Sequence, residues 1–171
     1  MSIISLSCKT PVCFQRLDKN HAKAVHALEQ SCFSMPWSEE QCRGAFTQPF
    51  FAAFGLMRGT RLLAYVSVYH TADELEILNL AVNPSERRQG LGRRILDMAL
   101  RVARKMGIEK VMLDVRAGNY PAVSLYQSCG FVRVAVRSHY YSDTGEDALT
   151  YVCRLRSFSA TGADCAKNHS R

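Results

Sequence analysis

At 171 residues the chain has the length of one ordinary domain, enough to bury about 70% of its unfolded surface without a disulfide or metal staple. With 47% hydrophobic and 22% charged residues, it falls outside collagenous, coiled-coil and wholly disordered compositions, and it lacks an apolar run near bilayer length. The net charge of +7 is concentrated, since Pro84 to Lys110 carries eight basic residues against three acidic ones, which charge alone reads equally as a polyanionic partner or a solvated helix face.

Met1 to Thr10 shows neither the basic nor the apolar segment of a secretory leader, so a cytoplasmic protein is expected. Val12 to Leu17 reads as a first strand. Asp18 or Asn20 then caps a helix with the apolar stripe Ala24, Val25, Leu28 and Cys32. After the turn Met35-Pro36-Trp37, Ser38 and Gln41 fit a capping box that opens a short helix to about Phe46. Phe50 to Met57 and Arg61 to Tyr69 form a hairpin around Arg58-Gly59-Thr60. Leu75 to Val82 becomes apolar on both faces toward its end, as a central strand does.

From Gly92 the period is helical, with Ile95, Met98, Val102 and Met106 on one stripe and Gly107 as the stop. Val111 to Val115 is a further strand. Asn119-Tyr120-Pro121 then opens a helix that ends before Gly130. Phe131 to Arg137 and Leu149 to Leu155 are two late strands around a loop from Ser138 to Asp147. Residues 157–171 carry no period and are expected to form a disordered tail. That leaves 1–156 as one α/β domain with a mixed central sheet.

The seven cysteines (Cys8, Cys13, Cys32, Cys42, Cys129, Cys153, Cys165) are scattered and include no C-x-x-C pair, so they read as small buried hydrophobes rather than disulfides or a metal site. The stretch from Asn83 to Arg93 is more informative. It joins a buried strand to an amphipathic helix, and Gly90 and Gly92 let backbone N–H groups converge at the helix start, where unpaired donors and the dipole favour phosphate. Arg87, Arg88, Arg93 and Arg94 add charge around that cup. A P-loop is excluded because Arg93 follows Gly92, and a Rossmann fingerprint because Ile95 stands where a third small residue belongs.

Arg88-Gln89-Gly90-Leu91-Gly92 resembles the R/Q-x-x-G-x-G/A signature of the GNAT superfamily of acetyl-CoA-dependent N-acetyltransferases. Further matches are Pro36-Trp37-Ser38, Leu113 to Asn119, Ala122 to Phe131, Arg137 to Tyr141 and Gly145 to Ala148. In this order and spacing they are similar to the bacterial ribosomal-protein-alanine N-acetyltransferases, the RimI group.

The resemblance implies a GNAT fold whose splayed central strands, Leu75–Val82 and Val111–Val115, admit the pantetheine arm of acetyl-CoA. The backbone of Leu80, Ala81 and Val82 would hold that arm, and Arg87, Arg88, Gln89, Gly90, Leu91, Gly92 and Arg93 the pyrophosphate. Asn119 matches a cofactor-contacting asparagine and is also a good helix cap. Tyr126 matches the general acid: a phenol of pKa about 10 can protonate a departing thiolate within hydrogen-bond reach. Its alternative is a ring in the core with the hydroxyl at the rim. For the base, Asp114 stands where the family has glutamate, and Glu76 on the facing strand is the second candidate. Asp114 could instead pair with Arg116 or another cation. A backbone N–H near Val82 is the implied oxyanion donor.

The acceptor side is expected at Trp37, Tyr140 and Tyr141, with Trp37 alternatively a plug over the core. Asp143, Glu146 and Asp147 would attract a basic peptide or serve as turn residues. The implied reaction is direct attack, in a ternary complex, by the N-terminal amine of a small-subunit ribosomal protein's alanine. It involves no metal, no nucleic acid and no membrane. Lysine, a polyamine or an aminoglycoside is the alternative acceptor.

Overall fold

The computed structural model describes residues 10–155. The expectations for the leader, the tail, Cys8 and Cys165 lie outside the described residues. In chain order the elements are β1 (Val12–Arg16), α1 (Ala22–Cys32), α2 (Glu39–Ala45), β2 (Phe51–Arg58), β3 (Arg61–His70), β4 (Glu74–Val82), α3 (Leu91–Lys105), β5 (Lys110–Arg116), α4 (Tyr120–Ser128), β6 (Val132–Tyr141) and β7 (Glu146–Arg154). The strands form one sheet in the order β1-β2-β3-β4-β5-β7-β6. Only the central β4–β5 pair is parallel, and it is joined by a crossover through α3.

Local signals set the helix boundaries. Ser38 and Gln41 make the reciprocal capping box of α2, and Asp18 caps a 3-10 turn that leads into α1. Gly107 and Gly130, both with positive φ, stop α3 and α4. Helices α3 and α4 cover one face of the sheet, over a core that includes Leu56, Leu63, Ile95, Leu96 and Val111. Helices α1 and α2 cover the other face around Val25, Leu28, Cys42 and Tyr65.

The buried stripe of α3 differs from the expected one. It runs through Leu91, Ile95, Leu96, Ala99, Leu100 and Ala103, while Met106 is 44% exposed. Ala99 and Ala103 let the helix lie close to the sheet, and the bulkier Met98 and Val102 fall to its flank. Ile95, Leu96 and Leu100 each contribute about 1.5–3 kcal/mol by burial, well above the ~1 kcal/mol that Gly92 costs inside the helix. The glycine-rich start of α3 is therefore affordable. The cysteines also divide: Cys42 and Cys153 are buried, Cys32 and Cys129 half-buried, and Cys13 exposed.

The β6–β7 loop is tighter than expected. The two strands continue to Tyr141 and from Glu146, so only residues 142–145 turn. The Tyr140 and Tyr141 rings carry Arg137 and Arg116, each guanidinium 3.9 Å from its ring centroid. Among the described residues β6 is one of the two edge strands of the sheet, opposite β1. It is exposed along most of its length, and its register against β7 breaks twice, around Val134 and between Arg137 and Tyr141.

One irregularity shapes the centre of the sheet. On β3, Ser67 pairs with Asn79 and Val68 with Ile77, so Leu78 is an extra residue in β4. A bulge bends its strand and ends pairing, and the β4–β5 pairing stops at Ile77↔Leu113. β4 runs on to Val82 and β5 to Arg116, each held on one side only, so the two strands diverge.

Candidate active site

The divergence leaves a row of backbone groups without a sheet partner. Asn83 donates its N–H to Leu63 O at 2.8 Å, across β3. Alternation then turns Ala81, paired with Tyr65, toward β3, and the N–H groups of Leu80 and Val82 toward the gap. Of the three expected backbone contacts, Leu80 and Val82 face the opening and Ala81 does not, because its hydrogen-bonding edge serves β3.

A second set of free donors lies in the turn before α3. Arg88 and Gly90 are both left-handed, at φ 62 and φ 78. For the arginine this conformation costs about 1–2 kcal/mol. Gly90 caps α3 with no side-chain bond. Among the described residues, the N–H groups of Arg88, Gln89, Gly90, Leu91, Gly92 and Arg93 donate to no protein acceptor. Six successive free donors at the start of a fifteen-residue helix suit a phosphate group. Leu91 turns its side chain into the core and offers the turn only its backbone.

The four arginines do not all surround this cup. Arg87 folds back, its Nε donating to Val82 O at 3.2 Å and its Nη2 lying 3.6 Å from Cys32 Sγ. Arg93 binds Ser128 Oγ at 3.0 Å and pairs with Asp97, and Arg94 donates to Val12 O at 2.7 Å. Of these four, only Arg88 keeps its guanidinium without a protein partner among the described residues. These arginines anchor the turn and helix to the body of the domain, a use that charge counting does not reveal.

Val82, Gly92 and Leu125 converge where the gap meets α4: a Cβ on Gly92 would stand 3.6 Å from Val82 Cγ2 and 3.4 Å from Leu125 Cδ2. Asn119 caps α4, its Oδ1 accepting the Ala122 N–H at 3.3 Å, so the capping reading holds, and its side-chain amide remains free among the described residues. Tyr126 lies one residue after Leu125. Its ring is buried against Phe131, with centroids 5.7 Å apart. Among the described residues the only enclosed polar side-chain atom without a partner is Ser67 Oγ. The Tyr126 hydroxyl makes no protein hydrogen bond and therefore reaches the surface. Burial, with Tyr141 adding to it, pushes this phenol well above its ordinary value and keeps it protonated.

On the other face of the sheet, Asp114 is the first β5 residue beyond the β4 pairing. Its Oδ1 accepts the Thr150 hydroxyl at 2.6 Å, and its Oδ2 meets Arg137 Nη1 at 2.8 Å. The cation beside Asp114 is thus Arg137 rather than Arg116. Glu76 is exposed within the paired part of β4, below the divergence.

Arg116 has a different task. It binds Asp143 at 2.7 and 2.8 Å, Thr144 at 2.9 Å and Glu146 at 3.4 Å. Asp143 also accepts the Ser34 hydroxyl at 2.7 Å, which ties the β6–β7 turn to the loop between α1 and α2. Asp147 accepts the His139 N–H at 2.9 Å. Asp143 and Glu146 are thus paired with Arg116, whereas Asp147 meets only a backbone N–H among the described residues. Tyr140 is 45% exposed and Tyr141 half-buried, with centroids 5.2 Å apart. Trp37 sits half-buried against Phe51 over the smaller core, in the manner of a plug.

Sequence reading missed Glu29. This buried carboxylate accepts the Tyr65 hydroxyl, the Asn79 amide at 2.9 Å and the Trp37 N–H at 3.0 Å. It ties the loop carrying Trp37 to the strand that diverges. The available signal was an acid next to Leu28 on the apolar stripe of α1.

A mixed sheet opened between its two central strands, with an anion-binding turn at the end of the opening, is the architecture of an acyl-CoA-dependent N-acyltransferase. Residues 22–131 match the acetyltransferase (GNAT) family, and the chain belongs to that family. It is 33% identical over 135 residues to the ribosomal protein bS18-alanine N-acetyltransferase of Escherichia coli K12, covering 78% of this chain and 90% of that one. It is 32% identical over 146 residues to the N-alpha-acetyltransferase RimI of Mycobacterium tuberculosis H37Rv, covering 82% and 90%. The crystal structure of the E. coli ribosomal-protein-S18-alanine N-acetyltransferase superposes with a TM-score of 0.81 at 29% identity, covering 91% of this chain and 100% of that one.

Proposed function

We propose that this chain transfers an acetyl group from acetyl-CoA to the N-terminal α-amine of a protein, with the N-terminal alanine of a small-subunit ribosomal protein as acceptor. The observation that carries this reading is two sets of unpartnered backbone donors, Leu80 and Val82 in the opening and Arg88–Arg93 at the turn. An extended pantetheine arm followed by a pyrophosphate matches these two sets in order and polarity. The names of the relatives supply the acceptor.

Acetyl-CoA supplies an activated acyl thioester, and the remaining work falls to the chain. An α-amine of pKa about 7.7–8.0 is largely protonated at neutral pH and attacks only when neutral. Asp114, at the start of the divergence, receives that proton through a water, held in orientation by Thr150 and Arg137. The Val82 N–H faces the gap and is placed to stabilise the developing oxyanion. Tyr126, protonated and with its hydroxyl at the surface, gives its proton to the leaving thiolate. Arg88, Gln89, Gly90, Leu91, Gly92 and Arg93 hold the pyrophosphate through their backbone, and the Asn119 amide offers a further co-substrate contact from the start of α4. Trp37, Tyr140 and Tyr141 wall the acceptor side.

The test is mass spectrometry of two peptides incubated with the protein and acetyl-CoA. One begins with a free alanine from a ribosomal protein; the other is N-blocked with only lysine amines free. Acetylation of the first alone is expected. Acetylation of the lysine peptide alone would refute the α-amine assignment.

A further inference from the structure

Beside the proposed phosphate turn lies a carboxylate that the reaction does not use. Glu86 ends the 3-10 turn Pro84–Glu86, directly before Arg87, and is buried. A buried negative charge next to a polyanion site is unfavourable on two counts, desolvation and repulsion, unless other groups hold it. Two arginines do so. Arg58 Nη1 reaches both carboxylate oxygens, at 3.2 and 3.4 Å, and Arg61 Nη1 reaches Oε1 at 3.2 Å. Arg61 also donates to Ser85 Oγ at 3.0 Å, and Asn83 accepts from the Ser85 N–H at 3.1 Å.

The two cations come from a stiff support. Arg58 ends β2, Arg61 opens β3, and the two pair across the hairpin turn, within the sheet that carries the domain. The residues that follow Glu86 need such a support. Arg88 is held left-handed and the six donors after Arg87 have no protein acceptor, so the turn has few bonds of its own to fix its shape.

We propose that Glu86 is a positioning residue for the phosphates of the co-substrate. Through Arg58 and Arg61 it moors the Arg88–Arg93 turn to the β2–β3 hairpin, and two positive charges offset its own. This inference rests on the reading of that turn as the pyrophosphate site.

The two possible roles of Glu86 predict opposite signs. If it contributed only charge, Glu86→Gln would remove repulsion and tighten CoA. If it moors the turn, Glu86→Gln weakens CoA by about tenfold, or ~1.4 kcal/mol. The experiment measures CoA affinity by calorimetry, then kcat/KM with acetyl-CoA and with acetyl-pantetheine, which lacks the phosphates. The expected result is a weakened Kd and a raised acetyl-CoA KM, with acetyl-pantetheine turnover and peptide KM unchanged. Arg58→Met is the second variant, for the case that the first does not fold, and is expected to weaken CoA in the same selective way.

Unchanged or tighter CoA binding in a folded variant would overturn the proposal, as would an equal loss with acetyl-pantetheine. Wild-type protein that binds CoA no better than pantetheine would overturn the pyrophosphate reading itself, and the mooring with it. That outcome is distinguishable because it needs no variant.

Discussion

Replacing Tyr126 by Phe separates catalysis from folding, and the structure gives both magnitudes. The ring stays in place against Phe131, and the lost hydroxyl has no protein hydrogen bond, so no orphaned partner remains. Stability should change by no more than about 0.5 kcal/mol. General acid catalysis contributes typically a hundredfold to ten-thousandfold, which corresponds to roughly 3–5 kcal/mol of barrier at ~1.36 kcal/mol per decade. The assay is the initial rate of alanine-peptide acetylation by mass spectrometry, with acetyl-CoA affinity and thermal melting measured on the same preparations. The expected result is a kcat lower by about two to four decades, with affinity and melting unchanged. Because burial raises the Tyr126 pKa, its ionisation should not set an alkaline limb below about pH 10. A kcat within threefold of the native value would refute the acid assignment.

Asp114→Asn keeps the Thr150 contact but removes the charge facing Arg137; initial rates should fall about a hundredfold, and a smaller loss than tenfold would place the base elsewhere. Arg116 and then Ser34 hold the Asp143 carboxyl below its ordinary value. That contact therefore stabilises the fold above about pH 4 and is lost as pH falls through the depressed value. Melting of Asp143→Asn should depend less on pH in the acid range, and equal slopes would refute this. Burial, with Glu29 adding to it, pushes the Cys42 thiol up to about 11. In alkylation at pH ~8 mapped by peptide mass spectrometry, Cys13 should label first among the cysteines of the described residues, and Cys42 only on unfolding.

The order of elements was legible because its signals are local: the Ser38–Gln41 box, the Pro121 helix start and the stops at Gly107 and Gly130. The glycine-rich turn before α3 was legible for the same reason. The stripe of α3 was misread because its buried face includes Ala99 and Ala103, whose small size a hydrophobic pattern undervalues. The ends of β6 and β7 were misread because Tyr140 and Tyr141 are extended by arginines stacked on them, Arg116 arriving from another strand. Partners were the least legible part. Glu29 meets Tyr65 and Asn79 across 36 and 50 residues, and Asp114 meets Arg137 across 23. A single sequence shows that such charges exist without showing which of them meet.

The open edge at β6 bears on how this protein behaves at high concentration. A long, flat edge with unpaired N–H and C=O groups would template a strand from a second copy, and Val132, Val134 and Val136, all at least 50% exposed, would favour such growth. The extra residue at Val134, the break before Tyr141 and the left-handed His139 divide that edge into short runs. Arg133 places a like charge on any approaching copy of the same strand. Substitutions that straighten β6 or neutralise Arg133 should therefore cost solubility before they cost stability.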